Sequence, residues 1–226
     1  FLFVITFIFL SLLSKFVEII VNGPVHGPLF VFVHGAGAPV TSDFMEAITK
    51  GLALRGIRVA RFNFPYMQQR VDNGTRRPPE RAPKLIAQYQ QLIASIDQPM
   101  VIGGKSMGGR MASLVASDPT TDAFTVNSKV KCIVCLGFPF HPANKPESVR
   151  TEHFPLIQQP VFITQGERDK LGTKEEVASY GLPNNIEWLW LEDGDKDLKP
   201  RIKRGFTNQG HLQKTIDGMA GLLKKY

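Results

Sequence analysis

Short apolar runs of strand length alternate with amphipathic stretches along most of this chain of 226 residues. The runs that predict strands cover 16–22, 28–34, 57–63, 99–104, 129–137, 160–166 and 185–192. Between them, helical patterns cover 43–55, 83–96, 106–117 and 173–181, and a last helix is predicted from about Asn208. Such alternation favours a parallel sheet with helices on both faces. We therefore expect the α/β class, with 16–22 as an edge strand.

The first fifteen residues are set apart by their composition, because "FLFVITFIFLSLLSK" is strongly apolar. This segment is shorter than the ~20 residues that span a bilayer. It has no basic region before it and no A-x-A cleavage pattern after it. We therefore predict a single domain over 16–226, no stable membrane insertion and a cytoplasmic location. The alternatives for 1–15 are a truncated signal or anchor and translated upstream sequence.

The chain is moderately basic, with 27 Lys and Arg against 20 Asp and Glu and a net charge of +7. The basic residues form scattered clusters near 76–81, 199–204 and 224–225, without the interleaved aromatic residues of a base-stacking surface. We expect solvated loops at these clusters and no nucleic-acid partner. Cys132 and Cys135 form a C-x-x-C in an apolar strand, where residues three apart point to opposite faces. They are predicted to pack in the core without redox chemistry.

The segment "VIGGKSMGGR" contains the pattern G-x-S-x-G, formed by Gly104, Ser106 and Gly108. A predicted strand precedes it and a predicted helix follows it, which is the context of a nucleophile elbow. The two glycines let the strand and the helix pass closely, and the turn directs the Ser106 hydroxyl out of the sheet. The alternative is a tight turn without chemistry. A phosphate-binding loop would need glycine at Pro99, so we reject that alternative. We expect no cofactor and no metal.

A second glycine-rich segment, "HGAGAP", follows the strand at 28–34. Together with Met107 at the start of the elbow helix, the backbone N–H groups of Ala36 and Gly37 are predicted to form an oxyanion hole. His34 ends the strand. We expect His34 to be structural and bonded to a nearby carbonyl, because no partner for catalysis is evident in the sequence.

An acid and a base are expected after later strands, at the same edge of the sheet. Asp169 follows the strand at 160–166 and fits the chain order of serine followed by acid. The segment after the last strand, "LEDGDKDLKP", has Lys196 where the base is expected and contains no histidine. A lysine side chain is ordinarily a cation near pH 7 and cannot accept a proton. The alternative bases are His141, the best placed, and then His153 and His211. A neutral Lys196, as in Ser-Lys variants of the triad, is the remaining alternative.

From about Val21 to the C-terminus the chain resembles a family of small bacterial α/β-hydrolase-fold hydrolases. That family is related to testis-expressed protein 30 and to the third regulatory subunit of the NSL acetyltransferase complex. The resemblance rests on "HGAGAPVTSDFM", "GIRVARFNFPYM", "RRPPER", "VIGGKSMGGRMASLVA", "CLGFPFHPANKPESVRTEH", "QGERDKLG" and "LEDGDKDLKP". It implies the α/β-hydrolase fold, with a doubly wound and mostly parallel sheet. Two loops are predicted from the sequence, a polar one over 64–83 and a proline-rich one over 138–159, and both are too short for a full cap domain. We therefore expect a minimal cap domain or none.

The resemblance also implies roles for particular residues. Ser106 matches the family's nucleophile and Asp169 its acid, whereas the family's "DGDH" is "DGDK" here, so Lys196 stands at the base position. We expect an ion pair between Lys196 and the aspartates around it. Two functions follow: a serine hydrolase of small esters or acyl groups, or a catalytically impaired member that binds a ligand or a protein partner.

Overall fold

The computed structural model describes residues 4–7, 18–119 and 128–226. Eight strands in these residues form one sheet in the order β1-β2-β4-β3-β5-β6-β7-β8. The strands are β1 Val4–Phe7, β2 Glu18–Asn22, β3 Leu29–Val33, β4 Arg58–Phe62, β5 Met100–Lys105, β6 Val130–Leu136, β7 Val161–Gly166 and β8 Ile186–Leu191. From β4 to β8 every neighbouring pair is parallel. The predicted α/β architecture is therefore confirmed.

The two N-terminal strands run antiparallel to their neighbours. The sequence predicted that 16–22 forms an edge strand, and this is wrong, because β2 lies between β1 and β4. β1 comes from the apolar segment 1–15, which the sequence analysis had set apart from the domain. Its register pairs Val4 with Val21 and Phe7 with Glu18. At least these four residues of the segment thus extend the sheet, while the domain boundary at residue 15 stays a prediction.

Helices cover both faces of the sheet. They are α1 Asp43–Ala53, α2 Pro65–Asn73, α3 Ala82–Ser95, α4 Met107–Ser117, α5 Lys174–Ala178 and α6 Asn208–Leu223, with 3-10 turns at Phe154–Leu156 and Ile202–Arg204. One apolar core contains side chains of α2, α3 and α4, and the other contains those of α1 and α6. In β3, successive residues alternate between the two cores, as the period of a strand buried on both faces requires.

Helix α2 lies where the sequence predicted a polar loop over 64–83. Proline at its first turn has no N–H to leave unpaired, and Gly74 ends the helix with φ 74°. A helix of nine residues is marginal in isolation, so packing has to stabilise it. Tyr66 and Met67 provide that packing, since both are buried in the core.

The two cysteines point to opposite faces of β6, as predicted. Cys132 packs in the core beside α1 and α6, and Cys135 packs in the core beside α3 and α4. Both thiols are free and buried. Burial raises the pKa of both, to about 12 for Cys132, so they remain thiols at neutral pH. Over the ranges described above, no helix combines the length and the apolar character needed to cross a bilayer.

We predict that Gly103 in β5 cannot carry a side chain. An added Cβ would lie 2.1 Å from the carbonyl oxygen of Val134 and 3.0 Å from the ring of Phe30. Gly103→Ala should therefore lower the free energy of unfolding by about 1–3 kcal/mol through overpacking. Urea unfolding followed by circular dichroism measures this change.

The matched control is Gly221→Ala in α6, where an added Cβ meets no heavy atom within 4 Å. This substitution should raise the free energy of unfolding by about 0.5–1 kcal/mol, because alanine loses less conformational freedom than glycine in a helix. Equal stability of the two variants would contradict the close approach at Gly103.

Candidate functional site

Ser106 occupies a sharp turn between β5 and α4. It is the N-cap residue of α4, with φ 50° and ψ −113°. Positive φ is unfavourable for a residue with a side chain and persists only where the surroundings enforce it. Here the Ser106 N–H donates to the carbonyl of Leu136 at 2.8 Å, and its carbonyl accepts from the Arg110 N–H at 3.1 Å. The strained conformation is thus fixed from both sides.

Glycine is required at both ends of this turn. A Cβ on Gly104 would lie 2.6 Å from the carbonyl oxygen of Val33 and 2.5 Å from the backbone of Gly108. A Cβ on Gly108 would lie 2.5 Å from the same Val33 oxygen and 2.7 Å from that of His34. The strand–turn–helix context predicted around Ser106 is therefore present, and the pattern G-x-S-x-G has a steric cause.

The loop after β3 lies beside this turn. An ideal Cβ on Gly35 would lie 3.7 Å from the Cβ of Ser106. Side chains hold the carbonyls of the next peptides: His34 Nδ1 lies 2.7 Å from the carbonyl oxygen of Gly35, and the Tyr66 hydroxyl donates to that of Ala36 at 3.1 Å. In a trans peptide the N–H points opposite to the carbonyl. The N–H groups of Ala36 and Gly37 are thereby directed away from these side chains.

The predicted oxyanion donors are thus available for a ligand. Among the described residues, the N–H groups of Ala36 and Gly37 donate to no protein acceptor. Met107 is the first residue of α4, and the first amides of a helix have no acceptor within it. Arg70 donates to the carbonyl of Gly37 at 2.9 Å and extends the support of the loop from α2. Whether these amides bind an oxyanion stays a prediction.

His34 is held in one tautomer. Its Nε2 accepts the Phe64 N–H at 3.1 Å, so its Nδ1 carries the proton and donates to the carbonyl of Gly35. The ring is fully buried, and burial lowers its pKa from 6.5 to about 4. These contacts are those expected of a structural histidine.

Asp169 is fully buried in the turn after β7. One carboxylate oxygen accepts the Leu171 N–H at 2.9 Å, and the other accepts the side-chain amide of Gln165 at 2.9 Å. Burial raises its pKa to about 6, although the Leu171 N–H and the nearby Lys105 cation act in the opposite direction. Gln165 also bonds both the N–H and the carbonyl of Phe138, which joins the β6 loop to Asp169.

Lys196 lies in the loop between β8 and α6, and its side chain is exposed. The expectation that Lys196 forms an ion pair is wrong for the described residues, because no carboxylate there lies within 4 Å of its ammonium. The nearby aspartates have other partners. Asp193 pairs with Arg201 at 2.7 Å, and Asp197 pairs with Lys105 at 3.3 Å.

The three alternative bases have partners away from Ser106. His141 Nδ1 lies 3.0 Å from the carbonyl oxygen of Pro142, and its Nε2 lies 3.7 Å from Glu176. His153 bonds Ser113 at 2.8 Å, and burial lowers its pKa to about 4. His211 bonds the carbonyl of Leu198 at 2.8 Å. Within the described ranges, none of these rings, nor Lys196, hydrogen-bonds the Ser106 hydroxyl.

Sequence reasoning missed the residues that support the site. Tyr66 and Arg70 lie in the predicted polar loop, whose sequence pattern gives no helical register for them. Gln165 lies inside an apolar strand, where a buried amide is itself an unusual feature that could have drawn attention. Lys105 is inside the motif, but its spacing gives no sign of which way its side chain turns.

Comparisons with known proteins agree with this architecture. The family model described as "Alpha/beta hydrolase domain" matches residues 26–224. Similar solved structures include a dienelactone hydrolase from Anabaena variabilis, with TM-score 0.69 and 13% identity over 100% of this chain and 98% of that one. Est1E from Butyrivibrio proteoclasticus gives TM-score 0.66 and 12% identity over 98% of each chain. A thioesterase domain from the curacin biosynthetic pathway gives 0.66 and 14% over 100% of each. At these identities the likeness shows the fold alone.

The buried, neutral His34 leads to a prediction about stability and pH. Its pKa is about 4 in the folded chain against 6.5 ordinarily, so the unfolded chain binds more protons between these values. The stability that His34 contributes is therefore present above pH ~6.5 and is lost as the pH falls towards ~4. His34→Gln should destabilise the protein near pH 7, and its deficit should shrink by up to about 3 kcal/mol by pH 4.

Urea unfolding of the wild type and His34→Gln from pH 7 to pH 4 measures this change. His26→Gln, which replaces an exposed histidine, is the control and should follow the wild type at every pH. A deficit of His34→Gln that stays constant with pH would contradict a neutral, buried His34.

Proposed function

This chain belongs to the alpha/beta hydrolase domain family, and from that premise we propose that it is a serine hydrolase of small esters or acyl compounds. In this proposal Ser106 is the nucleophile, Asp169 is the acid, and Lys196 occupies the position of the base. The observation that carries the proposal is the strained backbone conformation of Ser106 at the N-terminus of α4, which two backbone hydrogen bonds hold in place. Strain of this kind is concentrated at functional sites.

The reaction would begin with attack of the Ser106 oxygen on the carbonyl carbon of the substrate. The carbonyl oxygen becomes an oxyanion, which the N–H groups of Met107, Ala36 and Gly37 would stabilise. Collapse of this intermediate breaks the bond to the leaving group, which departs with the proton that the Ser106 hydroxyl has given up and leaves the acyl group on Ser106. Water then releases the acid by the same route and restores the hydroxyl.

Proton transfer is the weak step of this scheme. An ammonium group has no lone pair with which to accept a proton, and the Lys196 side chain is exposed. The histidine rings considered above are bonded elsewhere. We therefore propose that turnover is slow, since loss of one triad member typically costs on the order of 10⁴–10⁶ in rate.

The second candidate function is a non-catalytic one, in which the same cleft binds a ligand or a protein partner. The observation that favours it is that, among the described residues, neither Lys196 nor any of the three candidate histidines hydrogen-bonds the Ser106 hydroxyl. The sequence resemblance to a subunit of a protein complex supports it by analogy alone. Reaction with a fluorophosphonate separates the two functions, because an idle serine does not react.

Ser106→Ala should abolish fluorophosphonate labelling and the hydrolysis of p-nitrophenyl acetate. The thermal midpoint should be nearly unchanged, because the partly exposed hydroxyl has no hydrogen-bond partner to lose within the described residues. Ser179→Ala, which replaces an exposed serine at the C-terminal end of α5, is the control and should label like the wild type. Labelling that persists in Ser106→Ala would place the chemistry at another residue.

Lys196→His should raise kcat/KM for the same ester by at least ~10², because it restores a group that can accept a proton beside the other parts of the site. Lys196→Ala should leave the slow rate of the wild type unchanged. If Lys196→Ala abolishes a fast wild-type rate, the lysine is a working base and this assignment is wrong. If His141→Ala abolishes the rate instead, the base is His141 in the loop after β6.

A further inference from the structure

The buried cation of this site is Lys105, the residue that precedes Ser106. Only 11% of its side chain is exposed. Its ammonium donates a hydrogen bond to the backbone carbonyl of Lys196 and lies 3.3 Å from a carboxylate oxygen of Asp197. The same nitrogen lies 5.1 Å from the centre of the Phe44 ring. One ammonium thus joins the end of β5 to the loop after β8 and to α1.

Gly137, which follows β6 with φ 63°, lies close to the hydrogen bond between Lys105 and the Lys196 carbonyl. A Cβ at Gly137 would lie 2.7 Å from the carbonyl oxygen of Lys196 and 3.2 Å from the Lys105 nitrogen. A side chain there would displace one of the two partners. Glycine at position 137, directly after β6, therefore provides the space that this hydrogen bond needs.

The partners of Lys105 compensate a charge that is costly to bury. Burial lowers the pKa of this ammonium, while Asp197 and then Asp169 raise it. Removing one partner of a buried charge leaves the other uncompensated, which is strongly unfavourable. The position of the β8–α6 loop is therefore coupled to the position of β5.

Other contacts fix the loop but do not reach the elbow. His211 on α6 bonds the carbonyl of Leu198, and Asp195 accepts the N–H groups of Asp197 and Lys199. In the described parts of the chain, the polar side-chain contacts between this loop and β5 are those of Lys105. Lys105 alone of these residues is the direct neighbour of Ser106.

We propose that Lys105 is a positioning residue, which holds the loop of residues 193–198 against the nucleophile turn and fixes the backbone of residue 196. The bond is made to a main-chain carbonyl, so it does not depend on the side chain at residue 196. This accounts for a loop that keeps its place although its base position carries an exposed lysine. The effect on the loop stands by itself, whereas the effect on catalysis rests on the proposed function.

The loop is tested by amide hydrogen exchange in the full chain. Lys105→Met removes the charge and the donor but keeps the apolar stem, and amides 195–199 should then exchange at least ~10-fold faster, with the other strands unchanged. Lys105→Arg keeps the cation and should stay within ~3-fold of the wild type. Lys174→Met, which breaks a surface ion pair with Glu167, is the control and should leave the loop unchanged.

Unchanged exchange of amides 195–199 in Lys105→Met would overturn the proposal. If Lys105→Met does not fold, Asp197→Asn breaks the ion pair from its more exposed side. Faster exchange of the same amides would then support the proposal, and wild-type exchange would overturn it.

Catalysis is tested in the Lys196→His background. Adding Lys105→Met should lower kcat for p-nitrophenyl acetate at least ~10-fold and leave KM within ~3-fold of its value in Lys196→His. The reason is that a displaced base weakens the stabilisation of the transition state more than it weakens the binding of the substrate. Adding Lys105→Arg should restore most of the rate. An unchanged kcat would overturn the role of Lys105 in catalysis. If Lys196→His is itself inactive, the proposed function fails, and the exchange experiment still decides whether Lys105 holds the loop.

Discussion

The close backbone approach between the end of β3 and the start of α4 is the constraint on which the rest of the site depends. The carbonyl oxygen of Val33 lies 2.6 Å from the position that a Cβ of Gly104 would take and 2.5 Å from that of Gly108. Because both residues lack a side chain, α4 packs directly against the strand ends, and the chain between them turns through the strained conformation of Ser106. The hydroxyl, the helix N-terminus and the glycine-rich loop are therefore brought together by packing.

Polar side chains then fix the loop that this packing places beside Ser106. His34, Tyr66 and Arg70 each bind one of three successive carbonyls. A backbone whose carbonyls are already bonded has little freedom to rotate, so its N–H groups keep their direction before any ligand arrives. Such preorganisation is the property that makes electrostatic stabilisation effective in a transition state. It requires a neutral His34, which burial provides.

In the acidic loop after β8, each of three neighbouring aspartates has a different partner. Asp193 pairs with Arg201, Asp195 accepts N–H groups within the loop, and Asp197 pairs with Lys105. The carboxylates that could have attracted the Lys196 side chain are thus already engaged. The lysine at the base position remains exposed, and the cation that enters the site comes from β5.

The sequence by itself determined the parallel sheet, the turn at Ser106 and the placement of Asp169 and Lys196 after successive strands, because apolar periodicity and glycine spacing are local signals. It could not predict α2, whose nine residues depend on the burial of Tyr66 and Met67, nor the strand β1 outside β2. The tertiary structure alone decided which lysine enters the site. Lys105 and Lys196 are 91 residues apart, and the bond from the Lys105 ammonium to the Lys196 carbonyl forms only when β5 and the β8–α6 loop meet.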